Sequence, residues 1–259
     1  MLGAMVSRTA LVRRPGPRLA DGLVTHIERS PVDVALAERQ WADYVAALEA
    51  SGWATVEVPP ADDCPDSVFV EDTMVVFRDL AVVARPGAAS RRAETADAEK
   101  TVAGQGYRLA HIEEPGTLDG GDVLKIGDIV YVGQGGRTNA AGLAQLRSHL
   151  EPLGARVVGV EVSKVLHLKS AVTALPDETV VGFPPLVDDP TVFDRFLPVP
   201  EESGAHVVLL DDQRVLMAAS APETARLFAD RGLEPVVVDI SEYERLEGCV
   251  TCLSVRLRG

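Results

Sequence analysis

The chain has 259 residues, 46% of them hydrophobic but only 5% aromatic, so a core of Val, Leu and Ala in a β/α architecture is expected. Its formal net charge of −14 repels phosphate backbones, and the basic pairs Arg13–Arg14 and Arg91–Arg92 are too short to make a compensating stripe for nucleic acid. Such a field favours a cationic ligand. No apolar run approaches the roughly 20 residues that span a bilayer, and no basic segment leads into a long apolar stretch as in a secretory signal. Three cysteines, Cys64, Cys249 and Cys252, do not make a disulfide framework. A cytoplasmic address is expected, without membrane or nucleic-acid partners.

In chain order, a strand is predicted over 9–12. A helix follows over 33–50, where Val34, Ala37, Trp41, Tyr44, Val45 and Leu48 recur at three- and four-residue spacing and form one apolar face. Strands are predicted over 68–77, 80–84, 123–125 and 129–133. The segment 138–150 reads as a second helix, N-capped by Thr138 or Asn139, with Leu143, Leu146 and Leu150 as its stripe. Further strands are expected over 179–182, 207–210 and 214–219, a short helix over 223–230, and a last strand over 250–257. The stretch 189–196 has no clear period.

The strands beginning near Leu80, Asp128, Asp177 and Gln213 each follow a turn or charged pair and precede a more polar segment. With the unit opened by 9–12, they describe about five strand–strand–helix repeats. Strands at both ends of the chain would close such a ring by pairing with each other, which removes exposed sheet edges. An open α/β sheet is the alternative. No linker rich in Pro, Ser and Gly divides the chain, so residues 1–259 are expected to form a single domain.

Several segments carry chemistry. Cys252, with Cys249 three residues before it, can be read as core packing, as a nucleophile, or as half of a redox or metal pair; no second ligand pair accompanies it. His167 interrupts an apolar flank and could serve as acid–base partner to a thiol. In TLDGGD (117–122) two carboxylates flank a Gly-Gly pair. This could be a hairpin turn, or a turn that aims one acid at a histidine and leaves the other structural. The run PDSVFVED (65–72) ends an apolar stretch in adjacent acids, which cost stability when buried unless a cation pairs with them; a cationic substrate could be that partner, or a bulge or turn could expose both to water. RPGAASRR (85–92) and GRTN (136–139) each hold an arginine that could grip a carboxylate or equally stand at a solvated helix start.

In order, PDSVFVED, RPGAASRR, TLDGGD, GRTN, LHLKS (166–170) and TCLS (251–254) resemble the dimethylarginine dimethylaminohydrolase family of the guanidine-modifying (pentein) superfamily, almost end to end. The resemblance implies an α/β five-bladed β/α propeller with pseudo-fivefold repeats, acting as a cysteine hydrolase on methylated arginine. It implies Cys252 as nucleophile, His167 as general acid and base, and Asp119 as the carboxylate orienting that histidine; some relatives carry Glu there. Asp72 and Glu71 would grip the guanidinium with help from Glu247, which stands where Asp is expected. Arg91 and Arg137 would hold the substrate α-carboxylate, Asp66 and the Leu246 carbonyl its α-amino group, and Leu23 would ride on a lid. Cys249 matches no catalytic position and is assigned to packing. No cofactor or metal is implied, and a homodimer is compatible. Arginine deimination is the alternative reaction, and a non-catalytic arginine-binding or redox protein the alternative class.

Overall fold

The computed structural model describes residues 8–258. The apolar runs become pairs of antiparallel strands, and each pair takes a third, parallel strand after a crossover, giving five three-stranded sheets. The second sheet shows the pattern. Strands β3 (Met74–Phe77) and β4 (Leu80–Val83) pair antiparallel, helix α2 (Thr95–Gly104) crosses over, and β5 (Arg108–His111) returns parallel to β4. The third sheet repeats it with β6 (Val123–Ile126), β7 (Ile129–Gln134), α3 (Ala140–Leu150) and β8 (Arg156–Glu161). The fourth contains α4 (Leu168–Ala171), β9 (Val172–Ala174), β10 (Val180–Gly182) and β11 (Phe196–Pro198); its crossover has two 3-10 turns begun by Pro184 and Pro190 and no α-helix. The fifth contains β12 (Val207–Leu209), β13 (Arg214–Ala218), α5 (Pro222–Asp230) and β14 (Glu234–Val238).

The first sheet is assembled from both ends of the chain. Strand β1 (Arg8–Val12) is followed by α1 (Val34–Ala50) and the parallel strand β2 (Ala54–Glu57). After α6 (Ser241–Glu244), the final strand β15 (Val255–Arg258) pairs antiparallel with β1, placing Arg8 opposite Arg258. Terminal pairing was the expectation from the repeat. The caps of α1 and α3 are also those the residue types favour: the Asp33 side chain accepts from Leu36 N–H and the Asn139 side chain from Gly142 N–H.

Five hydrophobic clusters lie between neighbouring sheets. Leu11 and Leu257 meet Met74 and Val76 between the first and second sheets. Val82 and Leu118 meet Val130 and Leu146 between the second and third. Tyr131 and Val160 meet Val172 and Val180 between the third and fourth, and Val181 meets Val215 and Phe228 between the fourth and fifth. The last cluster joins Leu216 and Ala218 of the fifth sheet to Ala10, Trp41 and Tyr44 of the first. The middle strand of each sheet is therefore buried on both faces, which explains why it is a nearly continuous apolar run.

Two predicted strands differ from the fold. Only Met74–Phe77 of the 68–77 run is extended; Val70–Thr73 is a 3-10 turn because Asp72 N–H bonds back to Phe69 O and the Thr73 hydroxyl to Val70 O. Likewise only Val255–Arg258 of the C-terminal run is a strand, since Cys252 N–H donates to Cys249 O at 3.1 Å and folds 249–252 into a turn. Among the described residues no helix is long and apolar enough to cross a membrane.

Candidate active site

The two segments that leave the strand pattern meet. Glu71 N–H donates to Cys252 O at 3.1 Å, which ties the 66–73 turns to the C-terminal turn. The TLDGGD segment packs against the 66–73 turns and against His167 through its glycines. A Cβ at Gly120 would lie 2.0 Å from Glu71 O, and one at Gly121 would lie 2.6 Å from His167 Nδ1 and 2.7 Å from Asp72 Oδ1. Only a residue without a side chain permits this approach. The hairpin reading of this motif does not hold: Gly120–Asp122 is a single 3-10 turn.

The two acids of that turn divide their work. Asp119, fully buried, accepts from Gly87 N–H at 2.9 Å and lies 3.0 Å from His167 Nε2. Asp122 accepts from the Thr138 hydroxyl at 2.6 Å and from Leu168 N–H at 3.0 Å, fixing the start of α4 and so the position of His167 just before it. The other ring nitrogen, Nδ1, is 3.8 Å from Asp72 Oδ1. Burial works against a charge on His167, but Asp72 and Asp119 outweigh it and raise its pKa to about 9. Burial likewise opposes ionisation of Asp72, yet His167 and Arg91 hold its pKa down at about 2.

One tight pocket is lined by Leu23, Asp66, Phe69, Asp72, Arg91, Arg137, Leu166, His167, Leu246, Glu247, Gly248 and Cys252. Nine of the eleven expected site residues stand in that lining, and Asp119 lies directly behind His167. Glu71 is the exception. Its Oε1 pairs with Lys169 at 2.6 Å and with Arg256, and it faces a separate cavity of about 370 Å³. The adjacent acids of PDSVFVED are thus buried and paired with the chain's own cations, Asp72 with Arg91 at 2.6 Å and Glu71 with Lys169 and Arg256.

Arg91 is also more engaged than expected. Its Nε and Nη2 bond Glu94, its Nη1 bonds Asp72, and Nη2 also reaches the carbonyls of Asp66 and Phe69. Of the five guanidinium N–H groups, this leaves one on Nη1 for a ligand among the described residues. Arg137 has lighter duties, touching Asp119 at 3.5 Å. Glu94 escaped the sequence reading, although its place three residues after Arg91 is the spacing at which helical neighbours pair. Thr138 belongs to the GRTN motif, but nothing in the chain order marks it as a partner of Asp122.

Glu247 closes the pocket from the lid side. Its Oε2 accepts from Thr25 N–H and its Oε1 from His26 N–H, each at 2.6 Å. Asp66 Oδ1 accepts from Leu23 N–H at 2.9 Å. The segment following Gly22 is therefore pinned over the pocket by two carboxylates. Only about 20 Å³ remains beneath it, space for one water.

Cys249 does more than pack. Its Sγ lies 3.4 Å from Cys252 Sγ and 3.3 Å from the Thr251 hydroxyl. The sulfur–sulfur contact lowers the Cys249 pKa, because its thiolate accepts the Cys252 S–H, and the same bond, burial and the Cys249 charge push that of Cys252 well up. Among the described residues, Asp72, Asp119 and His167 form the one group whose potential ligand atoms lie within 4.8 Å of each other. Those atoms are already joined to one another, to Gly121 N–H and to Arg91.

No family model matches the chain. The N-terminal domain of ArgZ, a cyanobacterial arginine dihydrolase, superposes over 96% of this chain and 97% of its own with a TM-score of 0.86 at 18% identity. Fold and pocket together define a mixed α/β protein with a buried site of Cys252, His167 and Asp72. A cysteine-to-serine variant of the Pseudomonas aeruginosa dimethylarginine dimethylaminohydrolase, complexed with citrulline, is 35% identical, with a TM-score of 0.90 over 98% of this chain and all of that one. The Streptomyces coelicolor dimethylarginine dimethylaminohydrolase is 71% identical over 254 residues, 98% of each chain. This chain belongs to the dimethylarginine dimethylaminohydrolase family.

Proposed function

We propose that the chain hydrolyses dimethylated and monomethylated arginine to citrulline and dimethylamine or methylamine, through a covalent intermediate on Cys252. The observation that carries this reading is the convergence of Cys252, His167 and Asp72 on one lidded pocket, with Asp119 bonded behind the histidine. The guanidinium carbon is a poor electrophile because resonance spreads its charge, so orientation and charge complementarity must do much of the catalysis. Asp72 binds the guanidinium edge. Arg137, with the remaining N–H of Arg91, takes the α-carboxylate, while Asp66 and the Leu246 carbonyl take the α-amino group. Glu71, paired with Lys169 and Arg256, anchors the turn that carries Asp72, and Glu247 serves the lid.

Cys252 thiolate attacks the guanidinium carbon, forming a C–S bond and a tetrahedral adduct. His167, protonated at neutral pH by its raised pKa, gives its proton to the departing amine, and a thiouronium remains. The now neutral imidazole takes a proton from water, whose oxygen adds to the same carbon. Collapse expels the Cys252 thiolate and leaves citrulline.

The fold reading belongs with this proposal. Residues 8–258 form one catalytic domain, a five-bladed propeller closed by β15; the cyclic succession of five interfacial cores supports it.

The test is citrulline release from asymmetric dimethylarginine, monomethylarginine and arginine, with EDTA present. Methylated substrates turn over, and Cys252→Ser abolishes turnover while still binding substrate. Turnover of arginine alone would instead assign a deiminase. Competing substrates are needed because a methyl group in an apolar pocket changes binding by only ~1–3 kcal/mol.

A further inference from the structure

The paired thiols carry a function the hydrolytic reaction does not use. We propose that Cys249 is a resolving cysteine, and that peroxide converts Cys249 and Cys252 into a reversible disulfide that switches the enzyme off. The inference rests on Cys252 being the nucleophile.

In an extended strand, residues three apart would have Cα atoms roughly 10 Å apart, too far to bridge. The chain instead folds 249–252 into a turn closed by Cys252 N–H on Cys249 O at 3.1 Å. Such a turn brings its end Cα atoms within about 7 Å, and disulfides span about 4.4–6.8 Å. The sulfurs are already 3.4 Å apart, so side-chain rotation can close the bond without rebuilding the turn.

Access and reactivity favour the same event. Cys252 lines a pocket with room for one water, which excludes bulky oxidants while the lid is down but admits peroxide, little larger than water. Thiolates are the species that react with peroxide, and a thiol poised beside a resolving partner is the usual arrangement of a redox sensor. With the sulfurs 3.4 Å apart, loss of one proton leaves a thiolate directly beside a thiol. Cys64, the third cysteine, lies in the 61–67 turns and has no sulfur neighbour within hydrogen-bonding distance among the described residues.

The chemistry balances in two steps. Cys252 thiolate attacks one peroxide oxygen, the O–O bond breaks, and hydroxide leaves to take a proton from solvent. Cys249 sulfur then attacks the sulfenic sulfur, the S–O bond breaks, and the departing hydroxyl carries off the Cys249 proton as water. Two thiols are oxidised by two electrons, and one peroxide is reduced to two waters. A dithiol reverses the bond by exchange.

The experiment treats the reduced full chain with excess hydrogen peroxide, removes the peroxide with catalase, and records intact mass, a peptide map and citrulline release. The expected product is lighter by two hydrogens, with Cys249 linked to Cys252, and it loses turnover in proportion to the disulfide. Dithiothreitol restores both mass and activity. Cys249→Ser, and Cys249→Ala matched for fold by circular dichroism, should instead gain two or three oxygens at Cys252, as sulfinic or sulfonic acid, and stay inactive after dithiothreitol, compared with each variant's own untreated rate. Cys64→Ser should behave as the parent. A parent that gains only oxygen, or bridges through Cys64, overturns the proposal. The mass readout does not depend on turnover. A disulfide that forms in a chain unable to release citrulline would therefore sink the substrate assignment and leave this inference standing.

Discussion

His167 is subject to two opposing demands. Burial favours the neutral ring, whereas the carboxylates of Asp72 and Asp119 favour the imidazolium, and the carboxylates win. Its pKa is raised on folding, so its contribution to stability is fully present below about pH 6.5 and is lost as pH climbs through about 9. Unfolding titrations should record a loss on the order of 3 kcal/mol across that window. The alkaline limb of kcat/KM should fall in the same range, and Asp119→Asn should move it to lower pH; an unmoved limb would detach Asp119 from the histidine's proton. Gly121→Ala should lower kcat at least tenfold, because a methyl group 2.6 Å from Nδ1 must displace the ring. At this scale the sequence announced residue types well. Cys252, His167 and Asp119 stand in motifs whose chemistry can be read without a fold, but the counter-ions of Glu71 and Arg91 come from remote or unmarked positions, Arg256 and Glu94 among them.

The turns do the aiming. A strand through 66–73 would have sent Glu71 and Asp72 to opposite faces of one sheet; the 3-10 turn also parts them, Glu71 toward Lys169 and Asp72 toward Arg91, but joins the segment to the Cys252 backbone. Glu247 adopts a left-handed backbone, φ 60°, unusual for a residue with a long side chain, and from there reaches both lid amides. Hydrogen bonds to a carboxylate are worth ~1.5–3 kcal/mol, so Glu247→Gln should speed amide hydrogen exchange at Thr25 and His26 by about tenfold or more. Exchange at parental rates would show that the lid is held elsewhere. The outermost strand of every sheet, β2, β5, β8, β11 and β14, went unpredicted for one reason. These strands face solvent over much of their length and carry residues such as Arg108, Arg156 and Glu234, so they lack the apolar run that marked their partners. Strand β9 was missed because its three residues are continuous with the α4 turn.

At the scale of the molecule, the repeat was readable because the middle strand of each sheet is buried on both faces. The starts near Leu80, Asp128, Asp177 and Gln213 are the starts of β4, β7, β10 and β13 to within a few residues. The order of the sheets was less open to inspection, since periodicity does not say which neighbours share a core. Every interfacial core draws on two sheets, so removing one sheet strips two cores. Loss of far-ultraviolet circular dichroism and of Trp41 and Trp53 fluorescence should therefore coincide in a single denaturant transition. The pairing of β1 with β15 has a consequence for the order of synthesis. The first strand made waits for the last, so the place where the polypeptide begins is a matter of covalent history more than of architecture. A circular permutant that joins the two ends and opens at the 211–213 turn should assemble the same five cores and retain turnover, with every sheet but the fifth built from one continuous stretch of chain.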